Sequence, residues 1–234
     1  MASAQKSKRA FVTVTSDFVC PWCFIGERRL SQAIKQVPEI EVQILWKPFQ
    51  LNPWIQESGV ARRDYRITKF GSWERSQSMD AQVAQSGRAD GLAFNFERMQ
   101  TTHNTFNLHR LMQLAEREGD TTRLAIRLFT AYFSEGADLA DPDELSRVAV
   151  SGGLSVSRVD AVLQSDEFSR EVRQLESDAR IQGIDGVPLF NIGASMISGA
   201  QPASVLAAAL RLMTAHDSEM NDGDHFRQPS RING

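Results

Sequence analysis

The chain has 234 residues, of which 41% are hydrophobic and 24% are charged, so it is long enough for one large domain or for one domain that carries an insertion. Its 26 lysine and arginine residues against 29 aspartate and glutamate residues give a net charge of −3, which argues against nucleic acid or an anionic membrane surface as a partner. The longest apolar stretch, residues 205–213, is interrupted by Arg211 and is far shorter than the roughly 20 residues that span a bilayer.

The N-terminal part of the chain predicts a β-α-β unit. Residues 10–15 alternate between apolar and polar side chains, which is the period-2 pattern of a strand. Apolar residues then recur at helical spacing between Pro21, which suits the first turn of a helix, and Pro38, which ends it. Residues 40–46 alternate again and predict a second strand.

From residue 53 to residue 183 we find helical periods with capping signals and almost no strand pattern. Three clear periods each end before a glycine, namely Gly119, Gly136 and Gly183. Asp141 and Pro142 supply the cap and first residue of another helix, and two weaker helices are expected within residues 60–87.

The C-terminal part predicts two strands and a helix. The strands are residues 189–192 and 196–198, and Pro202 opens the helix. The residues expected to face inward from this helix are Val205, Leu206, Ala209, Leu210 and Met213. The organisation is therefore an α/β domain from residues 1–52 and 184–214, a helical insertion at 53–183 and a flexible polar tail at 215–234.

Cys20 and Cys23 are the two cysteines of the chain, and their C-x-x-C spacing between a first strand and a first helix predicts a dithiol redox centre. The helix N-terminus should favour the Cys20 thiolate and lower its pKa from about 8.5 toward the range of about 3.5 to 7.5 typical of reactive cysteines. Cys20 is then the attacking sulfur. Cys23, one helical turn further on, is expected to be more buried, to have a higher pKa and to resolve the mixed disulfide.

A structural zinc site is the main alternative for a C-x-x-C pair, because two cysteines supply half of its four ligands. The remaining candidates are His103, His109, His216 and His225. His103 and His109 would point about 240° apart on one helix, and the other two lie in the polar tail. We therefore expect no metal site.

Three segments around this motif resemble the DsbA family of the thioredoxin superfamily: SDFVCPWC at 16–23, GVPLF at 186–190 and SGAQP at 198–202. Within that family the chain looks like the FrnE-like branch, which is related to 2-hydroxychromene-2-carboxylate isomerases and kappa-class glutathione transferases. The likeness continues in WKPFQLNP at 46–53 and NTFNLHRL at 104–111, and it covers about residues 11–212. It implies an α/β thioredoxin fold with a large all-helical insertion.

The resemblance also implies a substrate site beside the dithiol. It places a cis peptide bond between Val187 and Pro188 against the Cys20 sulfur, with the backbone of Val187 pairing with a bound thiol peptide or glutathione. Asn52 and Ser198 match positions near glutathione in the isomerase and transferase relatives. Asn52 with Pro53 is equally an ordinary turn, and Ser198 could equally cap the last helix.

Further residues could tune or line this site. Pro21 and Trp22 lie between the cysteines and affect the reduction potential. Asn104, His109 and Arg110 sit where the insertion would face the redox centre, although a lone histidine or arginine on such a helix is more often solvated or locally paired. Asp17, three residues before Cys20, is a candidate proton acceptor for the dithiol, yet aspartate is common at strand ends.

Two enzymatic functions fit these features. The first is a thiol-disulfide oxidoreductase, which needs no tightly bound cofactor and acts on a thiol or disulfide substrate. The second is a glutathione-dependent isomerase or transferase that binds glutathione as a cosubstrate and a small aromatic or polyketide-like molecule. The isomerase relatives carry a hydroxyl residue at the first motif position, so Cys20 favours dithiol chemistry. A non-catalytic binding module would leave both cysteines unexplained.

The N-terminus lacks the apolar region and cleavage site of a secretory signal, so we expect a cytoplasmic protein. A glutathione pool near −220 to −320 mV would keep an ordinary dithiol reduced in that compartment. Whether two chains pair through the insertion as a homodimer is a question that the sequence leaves open.

Overall fold

The structure is a computed structural model that describes residues 8–223, with side chains described for residues 8–215. The first elements are β1 (Lys8–Ser16), α1 (Pro21–Lys35), β2 (Ile40–Pro48), β3 (Val60–Ala61), α2 (Arg62–Phe70), α3 (Trp73–Ala89) and β4 (Thr101–Thr102). They are followed by α4 (Phe106–Glu118), α5 (Thr121–Phe129), a π-helical turn (Thr130–Glu135), α6 (Pro142–Ser151), α7 (Val156–Leu163) and α8 (Ser169–Ile181). The chain continues with β5 (Leu189–Ile192), β6 (Ser195–Ser198) and α9 (Ala203–Gly223).

A four-stranded mixed sheet of order β2-β1-β5-β6 forms the centre of the molecule. β1 and β2 are parallel and joined through α1, whereas β5 pairs antiparallel with both β1 and β6. The predicted β-α-β beginning and β-β-α end are confirmed, and so is the α/β fold. β5 comes from the far end of the chain yet lies beside β1, so it brings residue 188 to the beginning of α1.

The helical insertion packs directly on this unit through aromatic rings. Phe18, which follows β1, lies with its ring centroid 4.9 Å from that of Phe129 in α5, and Phe24 of α1 lies 5.5 Å from the same ring. Phe133 in the π-helical turn stacks 6.3 Å from Phe129. One hydrophobic core therefore runs through both parts of the chain and holds the insertion over the N-terminus of α1.

Three expectations need correction. The insertion is not all-helical, because β3 and β4 form a small antiparallel pair, and two-residue strands are too short to show a period. Val205 of α9 is 42% exposed, and Ala207 is buried instead. The face that α9 turns toward the sheet is therefore displaced by one residue from the predicted apolar stripe. His103 precedes α4 and does not share a helix with His109.

The predicted tail also begins later than expected. α9 continues to Gly223, so residues 215–223 are helical, since a helical backbone satisfies its own hydrogen bonds and needs no apolar face to continue. Residues 224–234 of the predicted tail lie outside the described residues. Within the described part of the chain, the helices are too short or too polar to cross a membrane.

Candidate active site

Cys20 stands at the junction of the sheet and the first helix. It is the N-cap residue of α1, with Pro21 as the first helical residue. The positive end of the helix dipole therefore lies at Cys20, and no side chain caps this helix end. The Cys20 thiol donates to the carbonyl oxygen of Val187 at 3.6 Å, and the Val187–Pro188 peptide bond is cis, as the resemblance implied. The predicted neighbourhood of Cys20 and Pro188 is thus present.

Cys23 lies one turn deeper, and its backbone N–H donates to the Cys20 carbonyl at 3.0 Å. Both thiols are unbonded to each other, and Cys23 is 2% exposed. Burial, followed by the neighbouring Cys20, raises the pKa of Cys23 well above its ordinary value, and the Ser16 hydroxyl and the Asp17 backbone lower it in part. Cys23 is therefore a protonated, shielded thiol, as the sequence predicted.

A cavity of about 160 Å³ opens beside Cys20, between the sheet unit and the insertion. Pro21, Trp22 and Asn52 line it, so three of the predicted site residues meet there with Cys20. Trp22 is 41% exposed and stands at the edge of the cavity. The opposite wall comes from the insertion: Arg62, Tyr65, Arg66, Lys69, Asp80 and Tyr132.

The charges of this opposite wall are predominantly positive. Asp80 accepts from both Arg62 and Arg66 at 2.6 Å, and all three side chains are largely buried. Burial lowers the pKa of Arg66, and the Asp80 carboxylate opposes that shift. Lys69 donates to the Tyr65 hydroxyl at 2.6 Å and to Asn52 Oδ1 at 3.2 Å. Three cations against one carboxylate make this cavity suited to an anionic molecule.

A second, wider groove of about 750 Å³ lies next to the first. Leu51, Asn52, Tyr65 and Lys69 line both spaces, so the groove continues from the dithiol cavity. Trp54, which is 67% exposed, forms its outer wall with its ring 6.0 Å from Tyr65. The groove therefore offers aromatic surface and a cation within one continuous space.

Asn104 and Arg110 do not line either space, which corrects their placement in the pocket. Asn104 Oδ1 accepts from Gln50 Nε2 at 3.0 Å and from the Phe106 N–H at 2.8 Å. Arg110 is 4% exposed and donates to the Glu167 carbonyl at 2.8 Å. Asn104 precedes α4 and Arg110 lies within it, and the polar groups of both side chains are engaged by neighbouring backbone and side chains, so their contacts are structural.

Ser198, Asp17 and His109 also lie outside the dithiol cavity. Ser198 is exposed on the edge strand β6, opposite Leu189, and its carbonyl accepts from Gln201 at 3.0 Å. Asp17, in the loop between β1 and α1, and His109 of α4 are buried and do not line this cavity. Of the predicted residues, Pro21, Trp22 and Asn52 thus line the cavity with Cys20, Asp17 and His109 are buried outside it, and Ser198 is exposed on β6.

The positively charged wall opposite Cys20, which we call the cationic wall, was not predicted, although the sequence carries a signal for it. Arg62, Tyr65, Arg66 and Lys69 recur at i, i+3, i+4 and i+7, which places them on one face of α2. Such a polar face is normally directed to solvent. Only the folded insertion turns this face of α2 toward Cys20.

Comparisons with known proteins agree with this geometry. The family model described as a DSBA-like thioredoxin domain matches residues 11–211. The uncharacterised protein YwbO of Bacillus subtilis (strain 168) is 27% identical over 200 residues, which are 85% of this chain and 94% of YwbO. The crystal structure of probable DsbA oxidoreductase SCO1869 from Streptomyces coelicolor is similar with a TM-score of 0.81 and 29% identity, covering 96% of this chain and 94% of that one.

A 2-hydroxychromene-2-carboxylate isomerase structure has a TM-score of 0.69 and 15% identity, covering 90% of this chain and 98% of that chain. At this identity the likeness concerns the fold alone. The insertion and the sheet are thus arranged in a way that also occurs in that isomerase.

Proposed function

Because the chain belongs to the family of DsbA-like thioredoxin domains, we propose that it is a thiol-disulfide oxidoreductase that works through Cys20 and Cys23. The observation that carries this proposal is the asymmetry of the two thiols. Cys20 is 6% exposed and lines a cavity at a helix N-terminus, whereas Cys23 is 2% exposed, is not among the residues that line this cavity and has a raised pKa. An attacking thiol that a substrate can reach through a cavity and a resolving thiol shielded behind it are what dithiol exchange requires.

The reaction proceeds through a mixed disulfide. The Cys20 thiolate attacks a substrate disulfide, a Cys20–substrate S–S bond forms, and the first substrate thiolate leaves. Cys23 then attacks Cys20, the Cys20–Cys23 bond forms, and the second substrate thiolate leaves as a thiol after protonation. The substrate is reduced by two electrons and the dithiol is oxidised by two. We propose that the backbone of Val187, whose carbonyl accepts from the Cys20 thiol, pairs with the substrate backbone, and its position beside Cys20 supports this role.

We propose an anionic thiol, with glutathione as the reference cosubstrate, as the molecule that enters the cavity. The cationic wall of Arg62, Arg66 and Lys69 supports this assignment, because Asp80 is the one acidic residue among the described residues that line this cavity. The chemistry uses the protein's own sulfur atoms and requires no tightly bound cofactor. In a reducing cytoplasm, which we propose as the compartment, the dithiol is the resting form.

Mass-resolved titration of the purified protein through glutathione redox buffers tests the proposal. We expect a reversible loss of two hydrogens, about 2 Da, with a midpoint between about −270 and −120 mV. Cys20→Ser should abolish this disulfide, and Cys23→Ser should instead accumulate a glutathione adduct on Cys20. An unsubstituted protein that forms no internal disulfide in oxidising buffer would refute dithiol exchange.

A glutathione-dependent isomerase or transferase is the second candidate, and the wide groove beside Trp54 favours it. Its volume of about 750 Å³ lies within the range of about 300 to 1,000 Å³ typical of small-molecule sites. This function predicts that reduced glutathione is retained non-covalently in the absence of an internal disulfide. The same mass titration therefore separates the two candidates, when native spectra are recorded beside denaturing ones.

A further inference from the structure

Three buried side chains behind the dithiol carry polar atoms without a hydrogen-bond partner: Ser16 Oγ, Asp17 Oδ1 and His109 Nε2. Their residues are 1%, 0% and 3% exposed. Buried polar atoms are paired in the great majority of cases, and leaving one unpaired costs about 1 to 3 kcal/mol. These three atoms lie close to one another and to the dithiol.

Asp17 and His109 form a fixed pair. His109 Nε2 lies 3.6 Å from Asp17 Oδ1, while the other carboxylate oxygen of Asp17 accepts from the Leu51 N–H at 2.7 Å. The imidazole packs against Phe18, with ring centroids 5.3 Å apart. Because these contacts hold both groups, the distance between them is set by the fold and not by flexible side chains.

Ser16 connects this pair with Cys23. Its hydroxyl lies beside the Cys23 sulfur and lowers the pKa of that thiol, although it makes no hydrogen bond at normal distance. Ser16 and His109 also line one small cavity of about 10 Å³. That volume is near the minimum that holds one water molecule, so a single water can bridge the hydroxyl and the imidazole.

We propose that Ser16 and the Asp17–His109 pair are the proton outlet of Cys23, an assignment that rests on the proposed dithiol exchange. In the resolving step, the Cys23 sulfur bonds to Cys20 and the bond from Cys20 to the substrate sulfur breaks. The Cys23 proton passes through the Ser16 hydroxyl and one water to His109, and the leaving substrate thiolate takes a proton from solvent. The Asp17 carboxylate stabilises the imidazolium that forms, as a carboxylate does for a catalytic histidine in other enzymes.

The other charged or titratable groups around His109 come from three further elements. His103, from the loop before α4, is kept neutral because burial lowers its pKa to about 4. Glu176 of α8 interacts with both His109 and Asp17, and burial raises the pKa of its carboxyl group. Lys47 of β2 lines the small cavity. Among these groups Asp17 contacts His109 most closely, at 3.6 Å.

The test measures the resolving step by itself. Reduced protein is mixed with oxidised glutathione, quenched in acid at successive times and analysed by mass for the mixed disulfide and for the internal disulfide. The rate of each step is recorded between pH 6 and pH 9. In the unsubstituted protein we expect resolution to rise with pH and then to level off where the pair has lost its proton.

His109→Gln retains a polar group toward Asp17 but cannot take a proton, and Asp17→Asn keeps the acceptor for Leu51 without the charge. For both variants we expect resolution at pH 7 to slow by about 100-fold, within the range of general acid-base catalysis, so that the mixed disulfide accumulates. The rate should then rise tenfold per pH unit without levelling off. Formation of the mixed disulfide at Cys20 should be unchanged.

His103→Gln is the matched control, because it makes the same substitution at an equally buried neighbour that stays neutral. Its pH profile should keep the plateau of the unsubstituted protein. If His109→Gln and Asp17→Asn also keep that plateau, the proton outlet is refuted while dithiol exchange stands. If the unsubstituted protein never forms the internal disulfide, the proposed function itself fails. A variant that does not fold leaves the other to decide the result.

Discussion

Lowering the pH from 7 to 4 should destabilise the protein through His103. This side chain is 1% exposed, and burial lowers its pKa from 6.5 to about 4, opposed by the charge of Asp17 and supported by that of His109. The unfolded chain therefore binds a proton at His103 before the folded protein does. The contribution of His103 to the free energy of unfolding is present above pH 6.5. It is lost as the pH falls toward 4, and the loss is about 3 kcal/mol for a pKa shift of this size.

His103→Phe isolates this contribution. The ring of His103 meets that of Tyr132 edge to face at 4.2 Å, a contact that phenylalanine can keep, and the two unpartnered ring nitrogens are removed. Urea unfolding of both proteins at pH 7, 6, 5 and 4 gives the free energy of unfolding at each pH. We expect the variant to gain about 3 kcal/mol relative to the parent between pH 7 and pH 4.

The difference in unfolding free energy between parent and variant isolates His103, because other groups titrate in the same pH range. Burial raises the pKa values of Glu27 and Glu176, so these two residues favour the folded state as the pH falls and oppose the effect of His103. Both contributions are present in parent and variant and cancel in the difference. A difference in unfolding free energy that stays constant within about 1 kcal/mol from pH 7 to pH 4 would refute the reasoning.

Three further predictions concern the dithiol and its surroundings. Asp80→Ala removes the carboxylate shared by two buried arginines and should lower the free energy of unfolding, measured by urea titration, by about 3 to 5 kcal/mol. Glu41→Ala breaks an exposed ion pair and should lower it by at most about 1 kcal/mol. Gly26→Ala would place a methyl group 3.0 Å from the rings of Pro188 and Phe190, so overpacking should cost about 1 to 3 kcal/mol despite the better helix propensity of alanine, and an unchanged Tm would contradict this. In a Cys20→Ser variant, the remaining thiol should resist iodoacetamide at pH 7 until urea unfolds the chain, because burial is the largest cause of its raised pKa, and prompt labelling detected by mass would show that it is accessible.

The sequence was sufficient for the parts of the molecule that are encoded locally. Residues 10–15 and 40–46 show the strand period, and Pro21 marks the first residue of α1, so the position of Cys20 at a helix N-terminus could be predicted. Periodicity, proline and capping residues act within a few positions of the chain, and a single sequence displays them directly. The resemblance added the cis bond before Pro188, which the structure confirms.

The tertiary structure decided which polar residues face the dithiol. Arg62 and Lys69 show an ordinary polar helix face in the sequence, and only packing of the insertion on β1 and α1 turns that face toward Cys20. Arg110 belongs to the segment at 104–111 that resembles the family, yet its side chain donates its hydrogen bonds within the insertion. The pairing of Asp17 with His109 joins residues 92 positions apart, at 3.6 Å. Helical and strand periods specify which face of an element a residue occupies. Which other segment packs on that face depends on contacts between residues far apart in the sequence, and these contacts exist only in the folded chain.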